Sequence, residues 1–83
     1  MPPEKSVQSA RYDTLRALLV AAREESGVTQ TELAEYLGRG QSYLSKLERG
    51  ALEIGIDEFL TMTEALGLDP CDILRQVLGP KPA

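Results

Sequence analysis

Residues 29–50, TQTELAEYLGRGQSYLSKLERG, constrain the fold more than any other stretch of the chain. Thr29 is a good N-cap, and Glu32 three residues later completes a reciprocal capping box. The apolar residues that follow recur at helical spacing and form one stripe. Gly38 suits the position just past a helix end, where a positive φ is needed. The first half of the stretch therefore predicts a short, well-delimited helix.

A second helix is predicted to begin near Gln41. Leu44 and Leu47 lie one turn apart on its inner side, and Gly50 is placed to end it. The link between the two helices, residues 38–40, is too short for a relaxed antiparallel hairpin. It suits the steep crossing of a helix-turn-helix motif.

Three further helices are predicted around this pair, and no strand pattern or internal repeat is present. One helix runs from about Arg11 to Ser26, and another from about Ile56 to Leu66 with its buried side marked by Ile56, Phe59, Leu60, Met62 and Leu66. The last helix begins at Asp69-Pro70, an N-cap followed by a proline at the first helical position. The expected fold is all-α, a compact five-helix bundle over residues 11–78, with a flexible N-terminal arm (1–10) and a C-terminal tail (79–83).

Composition excludes several classes of function. The chain has 83 residues, one cysteine and no histidine, so it can form no internal disulfide and offers no usual zinc site or imidazole base. No apolar run is long enough to span a membrane, and the first residues lack a secretory apolar segment. We therefore expect a cytoplasmic protein that is not an enzyme, with no catalytic residues, no metal and no cofactor. The single thiol, Cys71, is expected to be a small buried or half-buried residue.

The net charge of −4 is unusual for a binder of nucleic acid. The distribution of charge along the chain makes DNA binding more plausible, because residues 1–50 carry seven basic and seven acidic residues. Residues 51–83 carry two basic and six acidic residues, so the excess acid lies mostly outside the predicted motif. A molecule with a basic edge can still bind phosphate locally.

The whole pattern resembles the phage repressor/Cro-like (XRE) family of helix-turn-helix DNA-binding regulators, whose lambda-repressor-like domain has five helices. No one residue is diagnostic, and the resemblance rests on all of them in register. The residues that carry it are Arg23, Gly27, Thr29, Gln30, Glu32, Leu33, Ala34, Leu37, Gly38, Ser45, Leu47, Glu48, Gly50, Ala65, Leu66 and Gly67.

The resemblance implies roles for individual residues in binding double-stranded DNA. Gln30 corresponds to a glutamine that grips a phosphate. Gln41 and Ser42 correspond to base-reading positions in the major groove, where a glutamine can bond adenine N6 and N7. The remaining implied contacts to bases or backbone are Arg39, Tyr43, Ser45, Lys46 and Arg49. Each of these side chains could instead be ordinary helix surface, and Tyr43 could simply cover Leu47.

Glu48 has a different implied role, because its family counterpart pairs with the arginine of the first helix, here Arg23. That pair would tie two helices together and would not itself touch DNA. The sequence also departs from the family pattern. Residues 51–53 are Ala-Leu-Glu where relatives commonly carry phosphate-binding cations, so useful affinity would depend on a dimer. The expected dimer surface is the last helix, with Ile73, Leu74, Val77 and Leu78, although these residues could equally complete the monomer core.

The sequence thus favours a sequence-specific transcriptional regulator, a repressor that binds a pseudo-palindromic operator as a homodimer. The alternative is a protein-binding adaptor, such as an antitoxin-like partner binder, that keeps the fold with weak or no DNA binding. Convergence of the basic groups on one face, away from the acidic groups, would favour the regulator.

Overall fold

Five α-helices follow one another in the computed structural model, which describes residues 7–80. They are α1 Val7–Glu25, α2 Gln30–Tyr36, α3 Gln41–Glu48, α4 Ile56–Leu66 and α5 Pro70–Leu78. The all-α, five-helix prediction is confirmed within these residues. Residues 1–6 of the expected arm and residues 81–83 of the expected tail lie outside the described part of the chain.

The ends of the helices follow from local chemistry. In α2 the Thr29 hydroxyl accepts the Glu32 N–H at 3.1 Å, and the Glu32 carboxylate accepts the Thr29 N–H at 3.0 Å. Asp69 caps α5 by accepting the Cys71 N–H at 2.8 Å. Gly38, just past the end of α2, has φ +68°, a left-handed conformation that costs glycine little. The motif is therefore delimited by its own residues.

The core lies where α1 crosses the other helices, since α1 contacts α3, α4 and α5 while α2 packs on α3 and α4. Burial of each large apolar side chain contributes roughly 1.5–3 kcal/mol. The buried set is Leu15, Leu19, Leu33, Ala34, Leu44, Leu47, Ile54, Phe59, Met62 and Ile73. Both helices of the motif are thus anchored in the common core by leucines.

Helix α4 presents only part of its predicted face to the core, where Leu66 packs together with two buried residues of the predicted set. Ile56 is 70% exposed and Leu60 is 45% exposed, whereas Phe59 and Met62 are buried. Thr63 takes the third inward position, and its hydroxyl donates to the carbonyl oxygen of Leu60 at 2.9 Å. That local bond satisfies the buried hydroxyl, so a threonine can lie among the apolar residues of the core.

Two further expectations are corrected. Helix α1 begins at Val7 rather than Arg11, because adding residues to an existing helix costs little once the helix is nucleated. Cys71 is exposed rather than buried, since the inward side of α5 is occupied by Ile73. No helix among the described residues has the length and hydropathy needed to cross a lipid bilayer.

Candidate nucleic-acid interface

Helix α3 has one fully buried side and one exposed side. Leu44 and Leu47 are 0% exposed and fix the helix to the core. Gln41, Ser42, Lys46 and Arg49 are exposed, and Ser45 is half-buried. Of the α3 side chains for which groove contacts are predicted, Gln41, Ser42 and Lys46 are therefore accessible, and Ser45 is partly so.

The first turn of α3 has no side-chain cap. Its N-cap residue is Gly40, with extended φ −85° and ψ 165° and no capping hydrogen bond from a side chain. Space is open there, since a Cβ added to Gly40 would meet nothing within 4 Å. The start of α3 therefore depends on other contacts for its support.

One such contact joins the two helices of the motif. Gln41, the first residue of α3, donates from Nε2 to Oε1 of Gln30 at 2.6 Å. Gln30 is the first residue of α2 and donates from its own Nε2 to Oε1 of Glu48 at 2.8 Å. These three side chains form a hydrogen-bonded series from the outer surface toward the core.

Arg23 lies at the inner end of this series, because it pairs with Glu48. Its Nε donates to Glu48 Oε2 at 2.6 Å and its Nη2 donates to Oε1 at 3.0 Å. The two side chains are only 11% and 9% exposed. The hydrogen bonds from Arg23 to the Glu48 carboxylate raise the pKa of the guanidinium above its ordinary value.

The same guanidinium also closes the loop before α2. Arg23 Nη1 donates to the carbonyl oxygen of Val28 at 2.9 Å. Helix α1, the loop and the last turn of α3 are therefore joined through one side chain. The structure pairs Arg23 with Glu48, as the resemblance to the family implies.

The hydrogen bonds between Thr29 and Glu32 at the start of α2 change the pKa of Glu32. The Thr29 backbone N–H, and then the Thr29 hydroxyl, lower the pKa of Glu32 below its usual value. A carboxylate at this position also faces the positive end of the α2 dipole. The charged form of Glu32 is thus the one that the folded chain stabilises.

The turn between α2 and α3 carries a cation stacked on an aromatic ring. The guanidinium carbon of Arg39 lies 4.5 Å from the centroid of the Tyr43 ring. Tyr43 is half-buried and packs against the core, and its ring is the surface on which Arg39 stacks. The cleft beside them is also lined by Asp57 and Glu58 of α4. The carboxylates of Asp57 and Glu58 thus line the same cleft as the Arg39 cation.

Lys46 lies further along α3, and Arg49 is the C-cap residue that follows it; both are exposed. Neither forms an ion pair within the part of the chain that the structure describes. Their charges are therefore available to an anionic partner. Three basic residues thus lie on α3 and its flanking turns, Arg39, Lys46 and Arg49, and Asp57 and Glu58 of α4 line the cleft beside Arg39.

The predicted dimer surface divides into two parts. Ile73 is 6% exposed and belongs to the monomer core. Leu74 and Leu78 are 44% and 65% exposed, and Val77 is half-buried. An apolar groove beside Leu74 and Val77 is lined by Tyr12 and Ile56. The exposed apolar surface therefore extends beyond α5 to α1 and α4.

Two contacts were not foreseen from the sequence. One is the hydrogen bonding of Gln30 to both Glu48 and Gln41, residues 18 and 11 positions away. The other is the packing of Arg16 over Gly50, where an added Cβ would lie 3.2 Å from the guanidinium atoms. Neither is signalled by periodicity or by a cap, because both depend on how separate helices cross.

Comparison with known proteins agrees with this geometry. Residues 19–73 match the helix-turn-helix family. An HTH-type transcriptional regulator of Sinorhizobium fredii is 39% identical over 63 residues, which are 76% of this chain. Those residues are only 29% of that relative, so the chain spans less than a third of its length.

Two solved structures are similar over most of their length. An XRE-family like protein from Pseudomonas syringae has a TM-score of 0.80 and 39% identity, over 87% of this chain and 88% of that one. The clp gene regulator ClgR from Corynebacterium glutamicum has a TM-score of 0.73 and 36% identity, over 83% of this chain and 90% of that one. Both align nearly the whole of the five-helix unit.

Proposed function

Because the chain belongs to the Cro/C1-type helix-turn-helix family of DNA-binding transcription regulators, we propose that it is a repressor that binds a specific operator as a homodimer. The observation that carries the proposal is the outer side of α3, where Gln41, Ser42 and Lys46 are exposed opposite two fully buried leucines. A helix fixed in this way can enter the major groove without losing its orientation.

The proposed contacts fall into two kinds. Gln41 reads an adenine through N6 and N7, and Ser42 and Ser45 line the adjoining base edges. Lys46 reaches a guanine or a phosphate. The remaining residues contact the DNA backbone and set the register: Gln30, Arg39, Tyr43 and Arg49.

A dimer is proposed because a single subunit would bind DNA weakly. The net charge of −4 and the Glu53 side chain, exposed after α3, limit the attraction of one copy to phosphate. We propose that Leu74, Val77 and Leu78 pair with the same surface of a second copy across a two-fold axis. Two recognition helices would then lie about 34 Å apart, and the operator would be pseudo-palindromic. A cytoplasmic location, where the DNA is accessible, completes the proposal.

A second candidate function is a protein-binding adaptor of the same fold. It is favoured by Asp57 and Glu58 lining the cleft beside Arg39, which lower the local positive potential. The exposed apolar groove beside α5 would then receive a different protein rather than a second copy.

Selection of binding sites from random duplex DNA, at low and at near-physiological salt, tests the proposal. We expect a two-fold site with half-sites one helical turn apart. Gln41→Ala should lose its preference at one base pair per half-site, by about 1–3 kcal/mol. Gln76→Ala, which shortens an exposed glutamine on α5, is the matched control and should select the unchanged site. Failure to enrich any sequence, even at low salt, would favour the adaptor.

A further inference from the structure

We propose that Glu48 sets the base preference of Gln41, acting through Gln30 as a positioning residue rather than only as the partner of Arg23. The inference rests on the proposed function, because it concerns the same reading of DNA by α3. It adds a residue that faces the core, 9% exposed, to the determinants of operator sequence.

The direction of the hydrogen bonds carries the argument. Glu48 accepts three of them, two from Arg23 and one from Nε2 of Gln30. Gln30 in turn accepts a bond at Oε1 from Nε2 of Gln41. In every bond of the series the donor is therefore the residue farther from Glu48, and the Glu48 carboxylate is the final acceptor.

The chemistry of Arg23 and Glu48 prevents a reversal of these donor and acceptor roles. A guanidinium only donates hydrogen bonds, and an ionised carboxylate only accepts them. Gln30 must therefore turn its NH2 group toward Glu48 and its carbonyl oxygen toward Gln41. Gln41 must then direct its own NH2 group toward Gln30. The orientation of both amides is determined by the charge pair beneath them.

This orientation decides what Gln41 offers to a base. One of its amide hydrogens is committed to Gln30, which leaves the carbonyl oxygen and the second hydrogen for DNA. One acceptor and one donor match adenine, which presents a donor at N6 and an acceptor at N7. Guanine presents two acceptors, O6 and N7, and would face the carbonyl oxygen of Gln41 with another acceptor.

Replacing the carboxylate by an amide should reverse the series. In Glu48→Gln one of the two accepting positions is lost. Keeping the shorter bond, from Arg23 Nε to the Oε2 position, places the new NH2 group at the Oε1 position, which Gln30 contacts. Gln30 then turns its oxygen toward residue 48 and its NH2 group toward Gln41, whose oxygen accepts. Both amide hydrogens of Gln41 are left for DNA, and two donors match guanine.

The experiment compares two operator duplexes that differ only by A·T or G·C at the base pair identified with Gln41→Ala. We expect the wild-type chain to bind the A·T duplex more tightly by about fivefold to a hundredfold. Glu48→Gln should lower this ratio at least about fivefold or invert it in favour of G·C. Gln30→Met, which breaks the series without reversing it, should bring the ratio close to one.

The ratio separates positioning from stability. Loss of folded protein lowers binding to both duplexes equally and cancels in the ratio, as does loss of any phosphate contact made by Gln30. Asp72→Asn is the matched control, because it makes the same acid-to-amide change at an exposed residue of α5, and it should leave the ratio unchanged. If Glu48→Gln does not fold, the double variant Arg23→Met, Glu48→Met, which removes the carboxylate together with its cation, replaces it and should lower the ratio as Glu48→Gln does.

The two possible failures are distinguishable. A wild-type ratio retained by folded Glu48→Gln, whatever the result for Gln30→Met, would overturn the role of Glu48 while leaving the regulator intact. A wild-type chain that selects no sequence would overturn both proposals at once.

Discussion

Gln41 and Gln30, the first residues of α3 and α2, are hydrogen-bonded to each other at 2.6 Å through their side-chain amides. The bond spans the turn between the helices and reaches the residue that follows Gly40, where no side chain caps α3. The start of α3 is thus supported from the neighbouring helix. Because Gln30 also bonds Glu48, this support continues to the last turn of α3 itself.

The Arg23–Glu48 pair should be a major contributor to the free energy of unfolding. Arg23→Met is expected to lower it by about 3 kcal/mol, because Glu48 would be left nearly buried without its cation. Arg75→Met is the control, since the Arg75–Asp72 pair is 71% and 63% exposed and should be worth about 0–1 kcal/mol. Urea denaturation of the two variants measures the difference. Equal losses would contradict the structural role given to Arg23.

Acid should weaken the fold partly through Glu32. Its pKa is lowered in the folded chain by the Thr29 N–H, so its contribution is present above the unfolded-state pKa. That contribution is lost as pH falls from about 5 through the lowered value. The melting temperature of Glu32→Gln should therefore fall less than that of the wild type between neutral pH and pH ~3. Glu35→Gln removes a charge from the same helix outside the capping pair and should keep the wild-type slope.

Lys46 should contribute to the salt dependence of DNA binding. If it contacts a phosphate, Lys46→Ala reduces the slope of log K against log salt by about 0.9 per subunit, or nearly 2 for a dimer. Arg75→Ala removes an exposed cation from α5 and should leave the slope unchanged. Titration of the selected operator at several salt concentrations gives both slopes. A Lys46→Ala slope equal to that of the wild type would exclude a phosphate contact by Lys46.

Leu78 should be needed for dimerisation but not for folding. It is 65% exposed in the monomer, so Leu78→Glu should retain the helical circular-dichroism spectrum while the dimer dissociates. Tyr36→Glu alters an apolar surface residue of similar exposure, 67%, on α2 and should not change the mass of the particle. Sedimentation equilibrium distinguishes the two. A Leu78→Glu chain that remains dimeric would exclude the α5 surface.

Local signals predicted the helix boundaries well, since caps and stops act within a few residues. The Thr29–Glu32 box, the Asp69-Pro70 restart and Gly38 are all found where the sequence indicates. The start of α1 was missed because residues 7–10 carry neither a strong apolar period nor a cap. Helix propagation alone extends α1 to Val7.

Contacts between helices were less accessible to prediction. Five apolar residues of α4 fit the predicted buried side, yet the packing of α1, α2 and α5 on this helix leaves Ile56 and Leu60 exposed. The resemblance supplied separate roles for Gln30, Gln41 and Glu48 but not the hydrogen bonds among them. Those bonds depend on the crossing of α1, α2 and α3, which no local pattern encodes.

The packing of Arg16 over Gly50 has an evolutionary consequence. Gly50 has φ +82°, and asparagine is the residue that most often replaces glycine in such a conformation. Here its Cβ would lie 3.2 Å from the Arg16 guanidinium, so the exchange requires the arginine side chain to move by a few tenths of an ångström. A shorter residue 16 removes that requirement, so the order of the two mutations matters. Across homologues, the two positions should covary.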